Sequence, residues 1–181
     1  MGHLSKCSSV SYPVPNGDPH YLKLLDELRL ALAPTQLLSV ASLPWASSLE
    51  SALLPANPYR WTSSYYHAVA SRVDQIVAMT YNSQVVVPAL YRLWMREQVR
   101  GIRRSISDRP VDLLLGISVS REVTSSHRAE VEDLGNGLAG LCAGLAKQRQ
   151  EGAPINGVAL YAFWESDARD WQIWQSWQGS E

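Results

Sequence analysis

The chain has two cysteines, one phenylalanine and no excess of charge of either sign. Cys7 and Cys142 cannot make a disulfide framework, and with the four histidines they show no metal-ligand spacing, so neither a stapled scaffold nor a zinc site is expected. The 16 Lys and Arg are balanced by 17 Asp and Glu, giving a net charge of -1. That balance speaks against a nucleic-acid surface, which needs a basic footprint. No apolar run reaches the length of about 18 residues that spans a bilayer, so no membrane partner is expected. The opening residues lack the apolar core of a secretory leader, and two reduced thiols fit a cytosolic setting. No glycine-rich phosphate loop follows any apolar run, which leaves a nucleotide cofactor without support.

What is present is apolar and aromatic. Hydrophobic residues make up 46% of the 181 residues, enough for a buried core and too many for a disordered chain. The single Phe stands beside seven Trp and eight Tyr, so the rings that carry a polar edge dominate. Such rings suit a wet binding surface as well as a core.

Four short runs are almost continuously apolar: residues 37–42 (LLSVAS), 75–81 (QIVAMTY), 112–119 (DLLLGISV) and 157–164 (GVALYAFW). Runs of this kind, without two-residue alternation, read as parallel strands. Residues 9–14 form a weaker fifth candidate. Helical patterns fall between them at 19–32, 63–72, 88–105, 128–150 and 168–177. Asp18 before Pro19 is a helix start with a capping carboxylate and proline in the first turn. The fold class expected is α/β, a partial (β/α)8 TIM barrel of about four βα units with parallel strands, in a single domain over residues 1–181. The alternative closure is an open, doubly wound sheet.

In parallel α/β folds the chemistry collects at the carboxyl ends of the strands. The first run leads into Trp45, with Trp61 further on. The second ends in Tyr81 and Asn82, the third near Glu122 with His127 beyond it, and the fourth in Trp164 and Glu165. Aromatic faces for sugar C–H groups, beside amides and carboxylates for hydroxyls, make a carbohydrate the expected ligand. Trp45, Trp61, Trp164, Glu122 and Glu165 are the candidate substrate contacts. His127 reads as a surface residue at a helix start. Trp171, Trp174 and Trp177 read as a face docking the last helix.

Met79-Thr80-Tyr81-Asn82, the last apolar run ending in Trp164, and Tyr12-Pro13 followed by Gly17-Asp18-Pro19 stand in an order similar to that of the family-eighteen-type, chitinase-like glycoside hydrolases. The resemblance covers residues 11–177. It implies strands four to eight of a barrel, no cofactor, and an acetamido-assisted hydrolysis in which Tyr81 and Asn82 take the catalytic positions on strand six and Trp164 floors the site. In that family the fourth strand ends in Asp-x-x-Asp-x-Asp-x-Glu, whose Glu is the general acid. This chain has Lys6-Cys7-Ser8-Ser9-Val10-Ser11 there, and a serine has no useful proton to donate near neutral pH. The resemblance thus implies a glycoside hydrolase-like domain that binds carbohydrate but lacks hydrolysis alone, or a vestigial sugar-binding fragment. Half a barrel would leave two open edges, so self-association and pairing with a separate N-terminal half both stay open, as does a secreted parent protein.

Overall fold

A computed structural model describes residues 17–47, 59–146 and 152–178. The strand candidate at 9–14 and the end of the helix candidate at 128–150 lie outside these residues. Four strands, β1 (Ser39–Ser42), β2 (Gln75–Met79), β3 (Asp112–Ser118) and β4 (Gly157–Tyr161), form one sheet in the order β1-β2-β3-β4. Every pairing is parallel, with Val40 beside Ile76, Ile76 beside Leu113, and Leu115 beside Val158. Helices alternate with them: α1 (Pro19–Ala31) before β1, α2 (Ser63–Ala70), α3 (Pro88–Ser105), α4 (Leu134–Ala146) and α5 (Ala168–Gln178).

The two-residue period of the strands sorts their side chains by face. Val40, Ile76, Ala78, Leu113, Leu115 and Ile117 are buried. They lie under the helices, and Ile117 packs directly on Gly137 of α4. On the opposite face Ala41 is exposed, and Val77, Met79, Leu114 and Ala159 are only half-buried. The buried face holds the core, joined by Tyr91, Trp94, Met95, Val99 and Ile102 from α3. A sheet in sequential order with its core on one face is the winding of a (β/α)8 wall. A doubly wound sheet reverses its order and carries helices on both faces.

Local chemistry accounts for the element ends. The Asp18 side chain accepts from the His20 amide at 2.8 Å, with Pro19 in the first turn of α1. Thr62 caps α2 in the same way, accepting from the Tyr65 amide. Two boundaries differ from the sequence reading. The chain from Arg128 to Asp133 is a turn, and α4 begins only at Leu134, where the Asp133 carboxylate accepts from the Asn136 amide at 2.7 Å. β4 stops at Tyr161 because Ala162 takes a left-handed backbone with φ 60°. Phe163–Glu165 then form one 3-10 turn, so Trp164 lies beyond the strand rather than on it.

α4 is unusually rich in glycine for a helix, which costs about 1 kcal/mol per residue against alanine. Close packing is what those positions provide. A β-carbon at Gly140 would lie 2.6 Å from Met95 of α3, and one at Gly144 would lie 2.7 Å from Val99. The missing side chains let α4 press against α3 and β3.

Candidate functional site

The carboxyl ends of β2, β3 and β4 meet on the sheet face away from the core. Tyr81 reaches from the end of β2 across β3, where Gly116 leaves the space. A β-carbon there would sit 3.3 Å from the Tyr81 ring. The ring stacks on Tyr161 of β4 at a centroid distance of 4.6 Å and an interplanar angle of 17°. Trp164 stands edge-on to Tyr161 at 6.4 Å, and Phe163 edge-on to Trp164 at 5.6 Å. The run goes from buried to open, with Tyr81 at 8% exposure, Tyr161 at 47% and Trp164 at 70%. Its outer end is an apolar aromatic surface beside polar groups, which can take the C–H face of a ring-shaped ligand.

Tyr81 is held at its backbone. The Thr80 hydroxyl donates to the Gly116 carbonyl at 2.8 Å, and Tyr91 of α3 donates to the Thr80 carbonyl at 2.9 Å. Burial pushes the Tyr81 phenol up to about 12, with the neighbouring Tyr161 adding to the shift. Its hydroxyl is therefore a proton donor across ordinary pH.

Asn82 and Gln84 follow with left-handed backbones, φ 56° and 67°. With Ala162, the three non-glycine residues of this kind among those described all lie just past strand ends. Such backbones are held only where the surroundings enforce them, and they cluster at sites. Here the enforcing group is Glu132. Its Oε2 accepts from the Asn82 amide at 2.7 Å, and its Oε1 accepts from the Ser83 amide at 2.8 Å and the Ser83 hydroxyl at 2.6 Å. His127 Nδ1 lies 2.8 Å from Glu132 Oε2, and its Nε2 lies 3.3 Å from the Ser120 carbonyl. Glu132 and His127 are both buried, which corrects the reading of His127 as a surface residue. The turn around Thr124, whose hydroxyl accepts from the Ser126 and His127 amides, folds the imidazole inward.

The remaining candidates divide in two groups. Glu165, half-buried, accepts from the Arg121 amide at 2.7 Å and the Ser120 hydroxyl at 3.4 Å, which links the turn carrying Trp164 to the end of β3. Arg121 also pairs with Asp167 at 3.0 Å and with Asp170. Glu122 is exposed on the same loop. These residues gather with Tyr81, Asn82 and Trp164.

Trp45 and Trp61 are engaged elsewhere. They bridge each other through backbone hydrogen bonds, the Ala46 amide to the Trp61 carbonyl and the Trp61 amide to the Pro44 carbonyl. Gln98 of α3 clamps Trp45 at both backbone groups, and the Trp45 ring covers Gly101. Trp61 is buried among Tyr21, Tyr65 and Tyr66. Both rings are thus committed to packing on helices. Of the last three tryptophans, Trp174 and Trp177 pack against the core and Trp171 is 43% exposed.

Sequence reasoning missed Glu132, Phe163 and Tyr161. The outward ring on β4 had a readable signal, since Tyr161 is the one bulky aromatic in step with Ala159 on the half-open face. Among the described residues no group of three or more His, Cys, Asp and Glu is placed to hold a metal, and no helix is long and apolar enough to cross a membrane. Comparison with models of protein families, with curated proteins and with solved structures finds no match to this chain.

Proposed function

We propose that the chain is a glycoside hydrolase-like carbohydrate-binding domain of partial (β/α)8 form, akin to the chitinase-like enzymes, which holds a sugar against Tyr161 and Trp164 without hydrolysing it. The observation that carries this reading is the aromatic run Tyr81–Tyr161–Trp164 at the strand ends. Aromatic stacking against the sugar face supplies the contact area. The Tyr81 hydroxyl, Asn82 and Glu165 supply hydrogen-bonding groups beside it.

The absence of hydrolysis follows from the acids. The segment before Tyr12-Pro13 has no Asp-x-x-Asp-x-Asp-x-Glu. Glu132 is buried with its oxygens occupied, and Glu165 is engaged with the Arg121 amide and the Ser120 hydroxyl. Neither is arranged as a general acid.

Titration with chito-oligosaccharides, followed by tryptophan fluorescence, tests the binding. A saturable change is expected, and no change at about millimolar sugar, the weak end of specific affinity, sinks the reading. A fluorogenic N-acetylglucosaminide assay is expected to show no turnover. Turnover that disappears in Glu165→Gln would overturn the non-hydrolytic half of the reading.

A further inference from the structure

Beneath the aromatic run, His127 lies between two acceptors. Its Nδ1 faces the Glu132 carboxylate at 2.8 Å and its Nε2 faces the Ser120 carbonyl at 3.3 Å. The Ser120 carbonyl has no proton to offer, and the Glu132 oxygens already accept from the Asn82 and Ser83 amides and the Ser83 hydroxyl. A neutral imidazole carries one N–H and can satisfy one of the two; the imidazolium satisfies both. The charged form also neutralises Glu132, whose side chain is fully buried. An unpaired carboxylate there would be costly.

The groups tied to this pair lie at both ends of the aromatic run. Glu132 holds the Asn82 and Ser83 amides, directly after Tyr81. Ser120 gives its carbonyl to His127 and its hydroxyl to Glu165, the neighbour of Trp164. One proton on one ring therefore bears on the loop after β2, the loop after β3 and the turn after β4.

We propose that His127 and Glu132 form a proton-dependent strut for the aromatic surface, which clamps these loops while the imidazole is charged and slackens, lowering carbohydrate affinity, when it is neutral. The ligand side of this proposal rests on the carbohydrate reading above; the strut itself does not. His127 and Glu132 are positioning residues and touch no ligand.

The titratable groups around the pair act in one direction. Glu132 comes from the turn before α4 and Glu122 from the loop of His127 itself, and both carboxylates favour the imidazolium. Tyr91 of α3 lies near Glu132 and Asp133, and burial, reinforced by both carboxylates, holds its hydroxyl protonated well above the ordinary tyrosine range. The hydrogen bond from Glu132 raises the His127 pKa, opposed by burial and reinforced by the Ser120 carbonyl. A raised histidine stabilises the clamped form fully below its ordinary value of 6.5. That contribution is lost as pH rises through the folded-state value.

Long-range proton–nitrogen correlation spectra of the full chain, recorded from about pH 5.5 to 9.5 around the ordinary histidine range, test the strut. The expected result is a His127 ring protonated at both nitrogens at the acid end of the series, with a midpoint above 6.5. The amides of Asn82, Ser83, Ser120 and Arg121 are expected to move with that midpoint. A midpoint at or below 6.5, a single tautomer throughout, or amides that ignore the titration would overturn the proposal.

Chito-oligosaccharide affinity, read by tryptophan fluorescence, is expected to fall about fivefold or more across the same midpoint, the lower range of coupling between sites. In His127→Gln it should be weak and independent of pH. Wild-type affinity that stays flat while the ring titrates overturns the coupling. Should His127→Gln not fold, the wild-type series still decides. Should no sugar bind at any pH, the carbohydrate reading falls, while the ring and amide signals decide the strut on their own. Tyr161→Ala separates the two further, since it should lose the ligand and keep the His127 midpoint.

Discussion

The ring of Tyr81 lies on that of Tyr161 with centroids 4.6 Å apart and planes 17° from parallel. The stack joins β2 to β4 over the top of β3, and Gly116 is the residue that leaves room for it. Tyr161 is therefore the stacking partner of Tyr81 and, in the proposed reading, the surface on which a sugar would lie. Tyr161→Ala is expected to weaken chito-oligosaccharide binding about tenfold, since burying an aromatic face contributes on the order of 1.5 kcal/mol or more. Tyr161→Phe keeps the stack and should keep most of the affinity. Calorimetric titration of both variants checks the pair, and equal losses would show that the hydroxyl rather than the ring matters.

Alkaline titration gives a second prediction. The Tyr81 phenol is pushed up to about 12, and Tyr66 and Tyr91, both fully buried, are also raised by desolvation. A phenol whose proton is held more tightly in the folded chain stabilises the fold fully below its ordinary value of 10.0. That stability is lost as pH climbs through the folded-state values. Absorbance of tyrosinate should therefore rise in two stages. The later stage, from Tyr66, Tyr81 and Tyr91, is expected only as the near-ultraviolet circular dichroism collapses.

Glu132 is expected to be the most sensitive polar position. Its removal leaves the Asn82 and Ser83 amides, the Ser83 hydroxyl and His127 without their acceptor in a buried place. Breaking such a pair from one side costs about 3–5 kcal/mol. Urea unfolding of Glu132→Ala should show a loss of that order. A loss below about 1 kcal/mol, the scale of a surface change, would mean that water replaces the carboxylate.

The small face of α4 gives a test of packing. Gly140→Ala puts a methyl group 2.6 Å from the Met95 β-carbon and 2.9 Å from the Arg92 carbonyl oxygen, neither of which can swing aside. Helix propensity alone predicts stabilisation by about 1 kcal/mol. Overpacking predicts destabilisation by about 1–3 kcal/mol, and it should win. Gly135→Ala is the control, because its nearest contact is 3.5 Å away at the Asp133 carboxylate. It should be neutral or stabilising.

Much of this fold was legible because its signals are local. Asp18-Pro19 and Thr62 announce their helices, and α3 spans the residues its pattern predicts. The four apolar runs are the four strands. The failures came where contacts are remote. Nothing near Ala162 announces a left-handed backbone, so β4 was read three residues too long and Trp164 was placed on it. Trp45 and Trp61 follow a strand end, as site residues do. What commits them to the helices is Gln98, 53 residues along the chain from Trp45. His127 read as exposed because its two acceptors come from different segments. That Tyr81 and Trp164 lie in one aromatic run was legible from position alone, because both follow strand ends.

Among the described residues each strand pairs only with the strands of the adjacent βα units. The described sheet is thus a short linear array, in which each strand is hydrogen-bonded to its immediate neighbours and the Tyr81–Tyr161 stack adds a further link from β2 to β4. Disturbance should accordingly stay near where it begins and fade with the number of units crossed. Amide hydrogen exchange would read this as a gradient. The slowest protons should lie along the β2–β3 seam, flanked on both sides. Faster ones should lie in β1 and β4, each with one sheet neighbour among the described residues.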